Sequence, residues 1–219
     1  TRATLGRSAT RAEVEAAVRA KGDELELETL TPTEMIERTA EALATGRIVA
    51  RFEGGSEYGP RALGHRSILA DPTFRQMRDV LNLRVKHREA YRPFAPVVPL
   101  EAAEQVFELG TESPHMLLVA PVRAELREVL PSITHYDGTG RVQTVDAQEN
   151  RFLHSLCTHL SRLRGGPPVV LNTSYNLAGE PIVESAEDAL RTFMTTDIDH
   201  LALEEYWICK KRVAPKEHD

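Results

Sequence analysis

Cysteine is scarce: the 219-residue chain has two, Cys157 and Cys209, far apart and outside any CxxC spacing. A disulfide scaffold and a thiolate zinc site are therefore excluded, and a reducing, cytoplasmic setting is expected. Aromatic residues make up only 5%, which leaves few platforms for stacking single-stranded nucleic acid. No apolar run approaches the roughly 20 residues that span a bilayer, and no basic stretch followed by an apolar one marks a secretory signal. The eight histidines lack HxH or HxxxH spacing, so no histidine metal site is expected. Internal repeats, heptads and low-complexity tracts are missing too. Positive charge is in deficit, with a net charge of −6, which argues against a general nucleic-acid binder.

What is present fits a globular chain. Hydrophobic residues make up 41% and charged residues 27%, and the length suits one large domain or two small ones. Residues 61–92 hold eight Lys/Arg and three acids, so this stretch carries +5 and the remainder −11. A cationic stretch inside an acidic chain points to a focused anion site.

Residues 1–9 read as an irregular lead-in and 213–219 as a charged tail, with a single domain over 10–212. Residues 10–21 read as a helix with Val14, Ala17 and Val18 on one face. Thr31-Pro32-Thr33-Glu34 starts a second helix: Thr at the cap, Pro in the first turn, Glu three residues after the cap. Strands are expected at 48–52, 67–70, 116–120, 142–145, 168–171, 201–203 and 206–209. Helices are expected at 74–83, 150–164 and from Ser185, with short ones near 100–108 and 123–130. Residues 94–98 read as a strand that its prolines push to an edge or bend. Strands and helices intermingle, which predicts one mixed α/β (α+β) domain.

Four segments could carry chemistry. In residues 57–67, EYGPRALGHRS, Gly59 and Gly64 have the spacing of a phosphate loop, but His65 and Arg66 replace its Lys-Ser/Thr and a strand follows instead of a helix. A tight loop presenting Arg61 and Arg66 remains, whose planar forks suit phosphate oxygens; the plain alternative is a surface loop with Arg–Glu pairs. Lys86, Arg88 and Arg92 cluster before a proline-fixed strand, or form a solvated charged turn. Arg141 follows the Gly-flanked turn Asp137-Gly138-Thr139-Gly140, in the style of an anion site or as an incidental residue of a hairpin. A buried strand runs into Asn172, Thr173, Ser174 and Asn176, which could hold a nucleotide or a small amide-like group or simply cap their own turn. Cys157, Phe94 and Trp207 read as core.

Together, EYGPRALGHRSILADP, VKHREAYRPFAP, HYDGTGRVQTV and LNTSYNLAGEPIV resemble the C-terminal domain of the NodU-type O-carbamoyltransferase family, over nearly all of residues 5–212. The resemblance implies a YrdC-like twisted open sheet with flanking helices and a concave basic cleft. It implies use of carbamoyl phosphate and ATP to make carbamoyl adenylate, with Mg²⁺ accompanying the triphosphate. A separate N-terminal domain, in cis or in trans, would pass the carbamoyl group to an acceptor hydroxyl; that domain and its iron site are expected to lie outside this chain. Carried over by motif, Lys86, Arg141 and Ser174 would act in catalysis, and Arg61, Arg66, Arg88, Arg92, Asn172, Thr173 and Asn176 in binding. Lys86 and Arg141 are expected to be the most demanding positions. The chain departs from the family where an aromatic residue followed by Phe-Gln-Gly-Arg is usual: Arg51, Glu53 and Gly55 stand for the aromatic, the Gln and the Arg. Two other functions remain open on the same fold, a non-catalytic nucleotide or phosphate module and, less favoured by charge and aromatic content, an RNA binder.

Overall fold

The computed structural model describes residues 4–211, so the first three residues of the lead-in and the expected tail at 213–219 lie outside the described residues. In chain order the elements are α1 (Arg11–Ala20), β1 (Leu25–Thr29), α2 (Pro32–Ala44), β2 (Val49–Phe52), β3 (Arg66–Ala70), α3 (Met77–Val80), β4 (Ala95–Pro99), α4 (Ala103–Val106), β5 (Leu118–Pro121), β6 (Thr139–Val145), α5 (Arg151–Arg164), β7 (Val170–Ser174), α6 (Ala186–Met194), β8 (His200–Leu203) and β9 (Tyr206–Lys210). The strands form one nine-stranded mixed sheet in the order β1-β9-β8-β2-β3-β7-β4-β6-β5. Two neighbouring pairs, β2 with β8 and β4 with β6, are parallel.

The helices begin where local chemistry says they should. Thr10, Thr31 and Ser185 each close a capping box, with Glu13, Glu34 and Asp188 at the third helical position. Each such cap satisfies otherwise orphaned N–H groups and contributes about 1 kcal/mol. Asn150 caps α5 by accepting from the Leu153 N–H at 3.0 Å.

The central strands are buried on both faces, and their side chains alternate between two cores. Val49, Leu69, Val97, Val170 and Ala202 pack under α2 and α5, against Met35, Leu43, Leu153 and Leu160. Ala50, Ile68, Val98, Leu171 and Leu201 pack on the other side, under α1 and α6, against Val14, Leu190 and Phe193. Cys157 sits in the first core, where burial pushes its thiol up.

Three sequence expectations change. The proline-containing strand β4 is interior, between β7 and β6. Its antiparallel partner covers Ala95 to Val97 and its parallel partner Val97 to Pro99. Pro96 and Pro99 thus fall where the strand is paired on one side only, so their missing N–H groups leave no gap in a ladder. The helix expected at 74–83 is α-helical only over α3 and continues as a wide π-type turn, Leu81–Val85. β1 has no counterpart in the expected elements. Leu25 and Leu27 alternate with glutamates there, but the alternation is short and only Leu25 is buried.

Candidate functional site

The strand registers bring four distant stretches to one end of the sheet. Ser67 pairs with Ser174, Ala95 with Asn172, and Val97 with Gln143. The start of β3, the end of β7 and the starts of β4 and β6 therefore lie side by side. Here an open pocket of 530 Å³ is lined by Arg61, Arg88, Arg92, Pro93, Phe94, Val119, His135 and Arg141. Among these residues there are four guanidinium groups and no carboxylate.

The cations are held by different means. The Nε atoms of Arg61 and Arg141 are buried without a hydrogen-bond partner. Burial, and then the neighbouring Arg61, push the Arg141 guanidinium below its ordinary range. Arg88 lies over the Phe94 ring at 4.9 Å and donates from Nε to Asn82 Oδ1 at 2.8 Å. Its guanidinium is depressed by burial, then by Arg92, with a smaller share from Arg141. Arg92 is exposed at the rim, 3.4 Å from Glu89. Asp71 and Asp79, the other acids of the +5 stretch, pair with Arg164 and Arg78, away from this pocket. Burial holds the His135 imidazole below its usual range. A concave surface of like charges is unfavourable alone and favours an entering anion with several oxygens.

Lys86, Ser174 and Asn176 form a second group. The Lys86 ammonium is buried and donates to the Ser174 carbonyl, to the Asn176 carbonyl at 3.0 Å and to Asn176 Oδ1 at 2.9 Å. Ser174 Oγ donates to the same Oδ1 at 2.6 Å. Burial, and then Arg88, lower the Lys86 ammonium to about 7. Asn176 also lines an adjoining hollow with Glu57, Gly59, Pro60 and Glu184.

Other expected binding residues are turned away from the pocket. Arg66 is fully buried. Its guanidinium lies 3.6 Å over the Phe52 ring and donates to the carbonyls of Glu53, Gly54 and His65 at 2.8–3.1 Å. It ties loop 53–65 to β3 and offers no fork to a phosphate. Asn172 is buried and its Nδ2 donates to the Ala62 carbonyl at 3.0 Å and to Gln143 Oε1 at 2.8 Å. Thr173 lies within β7, paired with Ile68, so the strand runs three residues further than its apolar part. Arg75 and Arg78 of the +5 stretch are spent in ion pairs with Glu128 and Asp79.

The loop that carries Arg61 is fastened by side chains on every side. Glu57 Oε1 accepts from the N–H groups of Leu63 and His65 at 2.7 and 2.8 Å. Ser67 Oγ accepts from the Gly64 N–H at 2.9 Å. His135 and Glu57 were not singled out in the sequence, although both stand inside the motifs. The signal for His135 was the Asp137-Gly138 turn, which returns the chain so that the His135 N–H meets the Thr139 carbonyl at 2.8 Å, two residues from Arg141.

The unusual upstream residues form a local set. Arg51 is buried against the Phe152 ring, 3.3 Å from its centre, and pairs with Glu53. The charges at 51 and 53 therefore satisfy one another. Gly55 lets the lead-in cross closely: Ser8 bridges to Gly55, and a Cβ there would meet the Gly6 carbonyl at 3.0 Å.

Residues 40–210 match the family described as carbamoyltransferase C-terminus. The chain belongs to that family. It is similar to the nodulation protein NolNO of Sinorhizobium fredii, 46% identical over 183 residues, covering 82% of this chain and 27% of the relative. It is also similar to the 3′-hydroxymethylcephem-O-carbamoyltransferase of Streptomyces clavuligerus, 40% identical over 166 residues, 76% of this chain and 31% of that one. This member of the carbamoyltransferase C-terminus family thus spans less than a third of either relative's length. Its fold is YrdC-like. Full-length HypF, solved in a phosphate- and nucleotide-bound form, superposes with a TM-score of 0.53 at 18% identity, over 86% of this chain and 22% of that one. Among the described residues no helix is long and apolar enough to cross a membrane.

Proposed function

We propose that this domain makes carbamoyl adenylate from carbamoyl phosphate and ATP for an O-carbamoyltransferase, whose N-terminal domain, in cis or in trans, passes the carbamoyl group to an acceptor hydroxyl. The observation that carries the reading is the pocket of four arginines without a carboxylate. Both substrates are polyanions, and their approach is opposed by mutual repulsion that converging guanidinium groups offset. Cleavage of carbamoyl phosphate by water releases phosphate and carbamate. A carbamate oxygen then attacks the α-phosphorus of ATP, the bond to the β-phosphate oxygen breaks, and pyrophosphate leaves. No protein nucleophile is required, so positioning and electrostatics supply the catalysis.

Arg61, Arg88, Arg92 and Arg141 are assigned to the phosphate oxygens. Ser174 and Asn176, whose oxygens lie around Lys86, are assigned to the uncharged carbamoyl end. Arg66 and Asn172 are assigned to shaping the loop, and Thr173 to the strand. A pocket without carboxylates suits anions and offers no ligand to Mg²⁺, so a Mg²⁺ arriving with ATP is held by the triphosphate and water. The test is carbamoyl-phosphate-dependent ATP–pyrophosphate exchange. Arg141→Ala and Arg61→Ala are each expected to lower it by roughly two orders of magnitude, as for removal of a charge-stabilising donor. Exchange within a few-fold of the parent in both variants would sink the assignment. One observation favours a second reading, a phosphate- or nucleotide-binding module without turnover: the Lys86 ammonium is already occupied by protein oxygens. That reading predicts ATP binding with no exchange in the parent chain.

A further inference from the structure

We infer that Gln143 is a positioning residue, which with Asn150 fixes the Arg61 loop against the strand that carries Arg141. The inference rests on the arginine pocket as the phosphate site. Gln143 lies on β6 two residues after Arg141, so both side chains fall on the same face of the strand. Its side chain is 1% exposed and both ends of its amide are used. Nε2 donates to the Leu63 carbonyl at 3.0 Å, and Oε1 accepts from Asn172 Nδ2 at 2.8 Å. The same Asn172 amide holds the Ala62 carbonyl, and Asn150 Nδ2 donates to the Leu63 carbonyl at 3.0 Å.

Two consecutive carbonyls, immediately after Arg61, are therefore clasped by three amides from β6, β7 and the cap of α5. The arrangement has a mechanical purpose. Arg61 and Arg141 carry like charges in one pocket, and in the absence of an anion they repel. A loop free to relax would swing Arg61 into water, and an arriving phosphate would then have to bring it back. The clasp supplies that order beforehand. It does so with neutral groups, which leave the pocket's positive charge intact. An acid at 143 could still accept from Asn172 but would have no N–H for the Leu63 carbonyl, and it would cancel part of the field.

The experiment is titration calorimetry with pyrophosphate on the chain and on crossed variants. Gln143→Met keeps length and volume but neither hydrogen bond. It is expected to weaken pyrophosphate binding by about tenfold in the parent background, and to have no further effect once Arg61→Ala is present. In an Arg92→Ala background, where the rim arginine owes nothing to the clasp, the tenfold loss should persist. A variant that merely loosened the fold would weaken binding in all three backgrounds alike. Asn150→Ser covers the case in which Gln143→Met fails to fold. Serine still caps α5 but cannot reach the Leu63 carbonyl, so a smaller loss with the same dependence on Arg61 is expected. Unchanged affinity in both variants, or equal losses with and without Arg61, overturns the positioning role alone. Failure of the parent chain to bind pyrophosphate overturns the phosphate site itself and the inference with it.

Discussion

Lys86 and Arg66 are both buried cations, but they differ in what burial does to them. Arg66 is matched by carbonyls across its fork, and guanidinium keeps its proton through any ordinary pH. Lys86 also faces oxygens, but none of the acceptors named above is a carboxylate, so burial first and the nearby Arg88 second bring its ammonium from 10.5 to about 7. In the unfolded chain it would return to its ordinary value. Between pH 7 and 10.5 the unfolded state therefore binds more protons at this site than the folded one, and stability contributed by the site rises with pH. Below pH 7 both states are protonated, and the full cost of burying the charge is felt. Urea unfolding of the chain and of Lys86→Met at pH 7.0, 8.0 and 9.0 tests this. The difference in stability between the two should change by about 1 kcal/mol per pH unit, in favour of the lysine form as pH rises. Taking the difference cancels the opposite trend from the buried Cys157 thiol, whose ionisation burial resists. A flat difference would mean that Lys86 stays fully charged in the fold.

At the scale of elements, the Arg61 loop depends on two glycines with quite different surroundings. Gly59 and Gly64 both have positive φ, 106° and 121°. A Cβ on Gly59 would meet nothing within 4 Å, whereas one on Gly64 would stand 2.6 Å from Leu153 Cδ1 and 2.9 Å from Asn150 Nδ2. Gly59→Ala should thus cost only backbone strain, about 1 kcal/mol. Gly64→Ala adds an overlap with the packed start of α5 and should cost about 3 kcal/mol. Urea midpoints of the two variants decide the matter, and equal losses would mean that α5 yields easily. The same elements separate what a sequence can express from what it cannot. The capping boxes at Thr10, Thr31 and Ser185 are local and could be read directly. The inward turn of Arg66 could not be read, because it depends on Phe52 of a neighbouring strand and on carbonyls of a loop folded back over it. The interior place of β4 was hidden for the same reason. Whether Pro96 or Pro99 breaks a ladder depends on how far the partner strands extend.

At the scale of the molecule, charge is sorted rather than pooled. Of the eight cations in residues 61–92, only Arg61, Arg88 and Arg92 reach the pocket, joined by Arg141 from outside the stretch. Arg66 and Lys86 are buried, Arg75 and Arg78 are paired with acids, and Arg84 lines a separate hollow with Asp197 and Asp199. The +5 of the sequence thus becomes a small concentrated field on a body whose net charge is −6. A compact polyanion that fits 530 Å³ meets that field at close range, while a long polyanion would also meet the acidic remainder. The Debye length is about 8 Å at physiological salt, so contacts inside the pocket are screened far less than attraction across the surface. Pyrophosphate binding should therefore weaken by only a few-fold between 50 and 200 mM salt, in contrast to the roughly thousandfold losses of proteins that engage many nucleic-acid phosphates. A 20-nucleotide single-stranded RNA, titrated in parallel, should bind more weakly than pyrophosphate at 50 mM and become undetectable at 200 mM. Tight, steeply salt-dependent RNA binding that Arg61→Ala and Arg141→Ala leave unaltered would mean that a surface other than this pocket governs the chain's anion recognition.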